Sequence, residues 1–167
     1  TSEINLAAFE WLATVARRLG RGFVLTVDYG YTGAQYYNPL VRSRGTLLGY
    51  RRHAPSDNPY RHVGTQDLTA HVDFDALQHF GARVGLATVG FTRQNFFLWA
   101  LGLGERLAAL ARPDALTAAT QIPALLRQRD ALRILGEPGG LGEFGVLIQC
   151  KNLDPDPRPL RGLRGPG

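Results

Sequence analysis

The chain has 167 residues, 44% apolar and 20% charged, with a formal net charge of +5. Those figures fit one soluble globular domain, and no apolar run approaches the roughly 18 residues of a membrane-spanning helix. The single cysteine, Cys150, excludes an internal disulfide and a cysteine-rich zinc site.

No secretory leader is visible in the opening residues. The sequence contains no methionine, which implies that a natural start has been lost, cleaved or left out. Residues 4 to 19 read as an amphipathic helix, with Ile4, Ala8, Trp11, Leu12, Val15 and Leu19 at helical spacing and Ser2 as its N-cap. Gly20 and Gly22 end it, and Phe23 to Val27 follows as a short apolar run, the pattern of a strand buried on both faces. That strand runs into Asp28-Tyr29-Gly30-Tyr31. In open α/β sheets ligands bind beyond the carboxyl ends of strands, so Asp28 and Tyr29 become candidate catalytic residues. The plain structural alternative is that Asp28 caps the loop.

Residues 32 to 66 read as a long irregular segment, interrupted by a short strand around Thr46 to Tyr50. Asp73 is the expected N-cap of a helix whose inward face is Phe74, Leu77, Phe80 and Val84, ended by Gly85. Ala87 to Phe91 reads as a strand, and Gln94 to Leu110 as helix broken near Gly102 and Gly104. Pro113 marks a turn, Thr120 to Leu135 a helix with Pro123 in its first turn, and Phe144 to Cys150 a last strand. Residues 154 to 167, with four prolines and three arginines, read as a mobile tail after a body of residues 1 to 153. Only three strands are convincing, a thin sheet for so many helices, which implies missing strands on the N-terminal side.

If residues 67 to 73 are extended, alternation places Asp67, Thr69, His71 and Asp73 on one side. His71 could then act as a general base, and Asp67 as a substrate contact. The alternative is a polar network pinning the loop to the helix. Tyr50 and Gln94 are further substrate-binding candidates, otherwise a packing aromatic and a helix-start residue. The spacings of His53, His62, His71 and His79 match no helical metal-ligand pair. Nearly all the positive charge is arginine, which favours phosphate. The arginines are scattered, however, with no basic stripe interleaved with aromatics, and this argues against nucleic acid.

Four segments, in order, carry a resemblance. They are Gly22-Phe-Val-Leu-Thr-Val-Asp28-Tyr29-Gly30, Gly45-Thr46-Leu-Leu-Gly-Tyr50-Arg-Arg-His53, Gly64-Thr-Gln-Asp67-Leu-Thr69-Ala-His71-Val-Asp73-Phe74, and Gly139-Gly-Leu-Gly142-Glu143-Phe144. Together with Thr92-Arg93-Gln94 they resemble the C-terminal half of the MidA-like S-adenosylmethionine-dependent methyltransferases. That family includes a mitochondrial assembly-factor methyltransferase of respiratory complex I. The resemblance implies an α/β fold, the C-terminal part of a Rossmann-like seven-stranded sheet. Phe23 to Val27 would be its fifth strand, Ala87 to Phe91 its sixth, and Phe144 to Cys150 its seventh, antiparallel beside the fifth. It also implies S-adenosylmethionine as cofactor, touched here at Gly30 and otherwise held by the missing N-terminal half. A protein arginine would be the acceptor. The setting would be cytoplasmic in a bacterium, or the mitochondrial matrix in a eukaryote. Where the family carries a lysine in its last strand this chain has Gly145, so no role of that lysine transfers. The sheet edge left open would favour self-association. A non-enzymatic interaction module and a basic nucleic-acid-binding domain are the alternatives.

Overall fold

The computed structural model describes residues 2–52, 54–111, 120–153 and 160–165. Its elements, in chain order, are α1 (Leu6–Arg18), β1 (Gly22–Asp28), β2 (Gly30–Tyr31), α2 (Gly33–Tyr36), β3 (Leu48–Arg51), β4 (Ala54–Ser56), β5 (Asp67–Thr69), β6 (Val72–Asp73), α3 (Phe74–Arg83), β7 (Ala87–Arg93), α4 (Gln94–Ala100), α5 (Leu103–Ala111), α6 (Ile122–Leu135) and β8 (Gly145–Lys151). The chain divides into two compact units. One holds Thr1–Gly22, Asp28–Ala87 and Cys150–Asn152, and the other Phe23–Val27, Thr88–Gln149 and Leu153–Gly167.

In the first unit, α1 begins at Asn5, whose side-chain oxygen accepts from the Ala8 N–H at 3.1 Å. Asn5, not the expected Ser2, is therefore the cap, and it starts the helix two residues late. Leu12 and Ala16 are buried on the inward face of α1, and Phe9 meets Phe80 of α3 with ring centroids 4.9 Å apart. Lys151 Nζ donates to the Ala16 carbonyl, and Asn152 Nδ2 to the Gly20 carbonyl at 2.7 Å. These bonds satisfy carbonyls at and just beyond the α1 C-terminus. Asp73 caps α3 as expected, accepting from the Ala76 N–H at 3.0 Å. Phe74 and Leu77 are buried beneath it, and Gly85 turns the chain at φ +83°.

The expected irregular segment of residues 32 to 66 holds more structure than its composition indicates. Helix α2 and strands β3 and β4 lie within it, and β3 is central to a small sheet of order β4-β3-β5. Both pairings of β3 are antiparallel, and β5 sets Tyr50 directly opposite Asp67. A second small sheet pairs β2 with β6 in parallel, Gly30 beside Val72 and Tyr31 beside Asp73. Residues 67 to 73 are thus not one extended strand. The chain changes sheets after Thr69, so the expected alternation from Asp67 to Asp73 breaks there.

The second unit is built on a sheet of order β1-β8-β7. Strand β8 lies between the other two and is buried from Gly145 to Cys150. Strand β1 departs from the reading of a strand buried on both faces. Phe23, Leu25 and Val27 are 52%, 54% and 42% exposed, so one face is open among the described residues. A continuous apolar run is ambiguous on this point, because its composition cannot say whether a second layer covers it. The helix read from Gln94 to Leu110 divides into α4 and α5 at Gly102, which has φ +103°. The turn at Pro113 and the residues 154–159 lie outside the described residues. Residues 160–165, read as part of a mobile tail, pack instead: Gly162 is buried against the Phe97 ring, and Arg161 Nε donates to the Ala100 carbonyl at 3.2 Å. Among the described residues no helix is long and apolar enough to cross a membrane.

Candidate functional site

Strand β1 delivers Asp28 to its end, and the first unit closes around that point. The Asp28 carboxylate accepts from the Tyr29 N–H at 2.7 Å, fixing the turn into β2. The Tyr29 carbonyl in turn accepts from the Val72 N–H at 3.0 Å. Because β2 and β6 run side by side, His71 is brought next to Tyr29 and Tyr31. Its ring lies edge-on to Tyr29 (centroids 5.2 Å, 80°) and stacked on Tyr31 (4.9 Å, 27°). The Arg42 guanidinium lies over the Tyr31 ring, 3.6 Å from its centroid, and donates to the Gln35 carbonyl at 2.7 Å. Tyr31 thus meets both Arg42 and His71, while Tyr29 lies edge-on to His71 and Asp28 is close enough to act on its charge.

Burial, and then the positive charge of Arg42, hold the His71 imidazole below its ordinary range against the opposing pull of Asp28 and Glu3. Its Nδ1 is buried without a hydrogen-bond partner. A depressed pKa means that the fold favours the neutral ring. The corresponding stability is complete above the unfolded value near 6.5 and is lost as pH falls through the folded one. A neutral histidine with an uncommitted nitrogen can accept a proton. Replacing Arg42 by glutamine removes one of the two lowering causes and is expected to raise the His71 pKa. NMR titration of the ring checks this, and an unchanged or lowered value would contradict it.

Thr46 holds the site from behind. Its hydroxyl accepts from the His71 N–H at 3.0 Å and donates to the Glu3 carboxylate at 3.3 Å, with the Tyr36 hydroxyl 3.4 Å away. Glu3 also accepts from the backbone N–H groups of Thr46 (2.9 Å to one oxygen) and Leu47 (3.1 Å). Burial raises the Glu3 pKa, but these donors outweigh it and leave the group below the ordinary carboxylate value. The stabilisation from Glu3 is therefore present above about pH 4.5 and lost as pH falls further. Glu3→Gln is expected to cost about 1 kcal/mol at pH 7, discounted for partial exposure, and almost nothing near pH 3. Urea unfolding at the two pH values measures both. Nearby, burial, the hydrogen bond to Asp73 and that residue's charge push the Tyr37 phenol up to about 12.

The other expected site residues are placed differently. Tyr50 and Asp67 face each other across β3 and β5 and line a separate cavity of about 420 Å³. Gln94 belongs to the second unit. Its Nε2 donates to the carbonyls of Leu135 (2.9 Å) and Leu141 (3.1 Å), tying the start of α4 to the end of α6. These bonds fit the helix-start alternative. Gly30 is explained by packing: a Cβ there would strike the Val72 carbonyl and come within 2.8 Å of the Phe74 ring. The close strand approach by itself accounts for glycine at this position. Among the described residues no group of three or more metal-ligating side chains could hold a metal ion; His53 lies outside them. Sequence reasoning missed Arg42, Thr46, Glu3 and Tyr31. Only the positive-φ glycine at Gly45 before Thr46, its missing Cβ making room for the Glu3 carboxylate, offered a signal.

Residues 1–92 match a protein family described as "Putative S-adenosyl-L-methionine-dependent methyltransferase". A crystal structure of an uncharacterized protein from Burkholderia thailandensis superposes with a TM-score of 0.80 at 30% identity, covering 98% of this chain and 41% of that one. A second, from the same organism and bound to S-adenosyl-homocysteine, gives a TM-score of 0.80 and 30% identity over 98% and 40% of the two chains. The chain thus spans about two-fifths of the length of these relatives. No curated protein matches it. With more than half of its residues inside the family match, the chain belongs to the MidA-like S-adenosylmethionine-dependent methyltransferases.

Proposed function

We propose that this chain forms the acceptor side of an S-adenosylmethionine-dependent methyltransferase and that its substrate is a protein arginine. The observation that carries the reading is the meeting of Asp28, Tyr29 and an uncommitted, neutral His71 at the end of β1. A relative of the same fold holds S-adenosyl-homocysteine, the demethylated cofactor.

Methyl transfer needs alignment of the nucleophile and removal of one proton, because the sulfonium supplies an already activated methyl group. The chain's own residues fit the second requirement better than the first. The His71 imidazole accepts the proton, the Asp28 carboxylate stabilises the imidazolium that results, and the rings of Tyr29 and Tyr31 pack against the imidazole. A cationic acceptor is favoured by the carboxylate at the strand end. The cofactor is held chiefly by parts of the intact protein outside this chain, a reading supported by the chain's spanning only about two-fifths of its relatives.

Three measurements test this. Calorimetry with S-adenosyl-homocysteine is expected to show at least tenfold weaker binding to this chain than to the intact protein, and equal binding would refute the division of labour. In the intact protein, His71→Asn is expected to lower kcat by about 10²-fold while leaving cofactor affinity within about twofold. Amino-acid analysis after transfer of a labelled methyl group identifies the acceptor, and label outside arginine would sink that part.

A further inference from the structure

The cavity beside Tyr50 and Asp67 is separate from the His71 stack and carries an unusual charge arrangement. Its walls are Tyr50, Arg51 and Arg52 of the β3–β4 hairpin and Gly64 to Asp67 of the loop entering β5. Gln66 shapes the floor. Its Nε2 donates to the Pro59 carbonyl at 2.6 Å, and its amide lies over Gly49, where a Cβ would come within 2.5 Å of the Gln66 oxygen. Arg51 and Arg52 are exposed, and neither has an ion-pair partner among the described residues. The one nearby acid that pairs with an arginine, Asp57, is taken by Arg44 at 2.9 Å. Arg61, on the same loop as Gln66, is likewise exposed and uncompensated. Arg52 sits at φ +51°, a left-handed conformation that disfavours an arginine.

We propose that this cavity docks an acidic segment of the protein that receives the methyl group. Glutamate or aspartate side chains would lie on Arg51 and Arg52, with the Tyr50 ring as an apolar wall. The inference rests on a protein being the acceptor. Charge complementarity selects the occupant, because arginine forks match carboxylates bidentately and exposed unpaired charges set encounter and register. A polynucleotide fits less well. A single tyrosine in the wall is no platform for successive bases.

The test uses this chain and fluorescence anisotropy, with no methyl donor present. The probes are a labelled peptide of alternating glutamate and alanine and an oligouridylate of equal length. The peptide is expected to bind, more weakly as salt rises. R51Q/R52N, chosen because asparagine tolerates the left-handed conformation at 52, is expected to weaken it about fivefold to tenfold. The single variants R51Q and R52N should each lose about threefold, which keeps the reading independent of how the double variant folds. R17Q/R18Q on α1 removes the same charge elsewhere and should stay within about twofold. An equal loss in that control, absence of peptide binding, or tighter oligouridylate binding that the hairpin variant abolishes would each overturn the proposal. Because no transfer is measured, failure here leaves the methyltransferase reading intact, and failure of transfer leaves this result intact.

Discussion

Replacing Gly30 by alanine is expected to destabilise the first unit by about 2–3 kcal/mol. Two effects compete. An alanine in a strand is ordinarily favoured over glycine by about 0.5–1 kcal/mol, because the unfolded chain loses freedom. Against this, the new methyl would collide with the Val72 carbonyl and approach the Phe74 ring to 2.8 Å. The carbonyl is backbone and belongs to the strand that β2 pairs with, so it cannot rotate away. Overpacking of this kind costs about 1–3 kcal/mol or more, and the collision wins. Urea unfolding followed by circular dichroism measures the loss. A small gain in stability would instead show that Gly30 is kept for some other purpose, such as close approach of a cofactor. The test thus separates the packing assignment from the cofactor assignment that the resemblance implies. Displacement of β2 from β6 would also pull Tyr31 from His71, so the His71 titration should shift in the same variant.

Much of the fold was legible in the sequence wherever local chemistry decided the outcome. The helix after Asp73 announces itself through an N-cap and an apolar face at helical spacing, and the structure builds it from those residues. The same holds for the break at Gly102 and for β8. What could not be read was set by partners far along the chain. Strand β1 is as apolar as a doubly buried strand, yet half of its side chains are open, because cover is supplied by other layers and not by the run itself. Strands β2 to β6 are only two to four residues long, too short for any period to show, and are fixed by pairing across up to 42 residues. The site divides along the same line. Asp28, Tyr29 and His71 were findable from strand-end position and motif. Arg42 and Thr46 enter it through a loop whose path no spacing predicts, and Asp67 left the group once β5 joined β3 rather than continuing into β6.

Truncating Phe74 to alanine should have the largest effect of any single change in this unit, a loss of about 3–5 kcal/mol. Phe74 is fully buried, opens α3 directly after its cap, and is the ring against which Gly30 closes. Removing it leaves a cavity bounded by backbone on the Gly30 side, which can collapse only by moving β2 toward α3. That movement is opposed by the β2–β6 hydrogen bonds, so little relaxation is expected and the cost should fall in the upper part of the range. The double variant G30A/F74A makes the argument sharper. With the ring gone, the alanine methyl at 30 has lost one of its two obstacles but still meets the Val72 carbonyl. The two changes should therefore be less than additive, yet the double variant should remain less stable than F74A alone. Full rescue of G30A by F74A would show that the ring, and not the neighbouring strand, is what requires glycine at the start of β2.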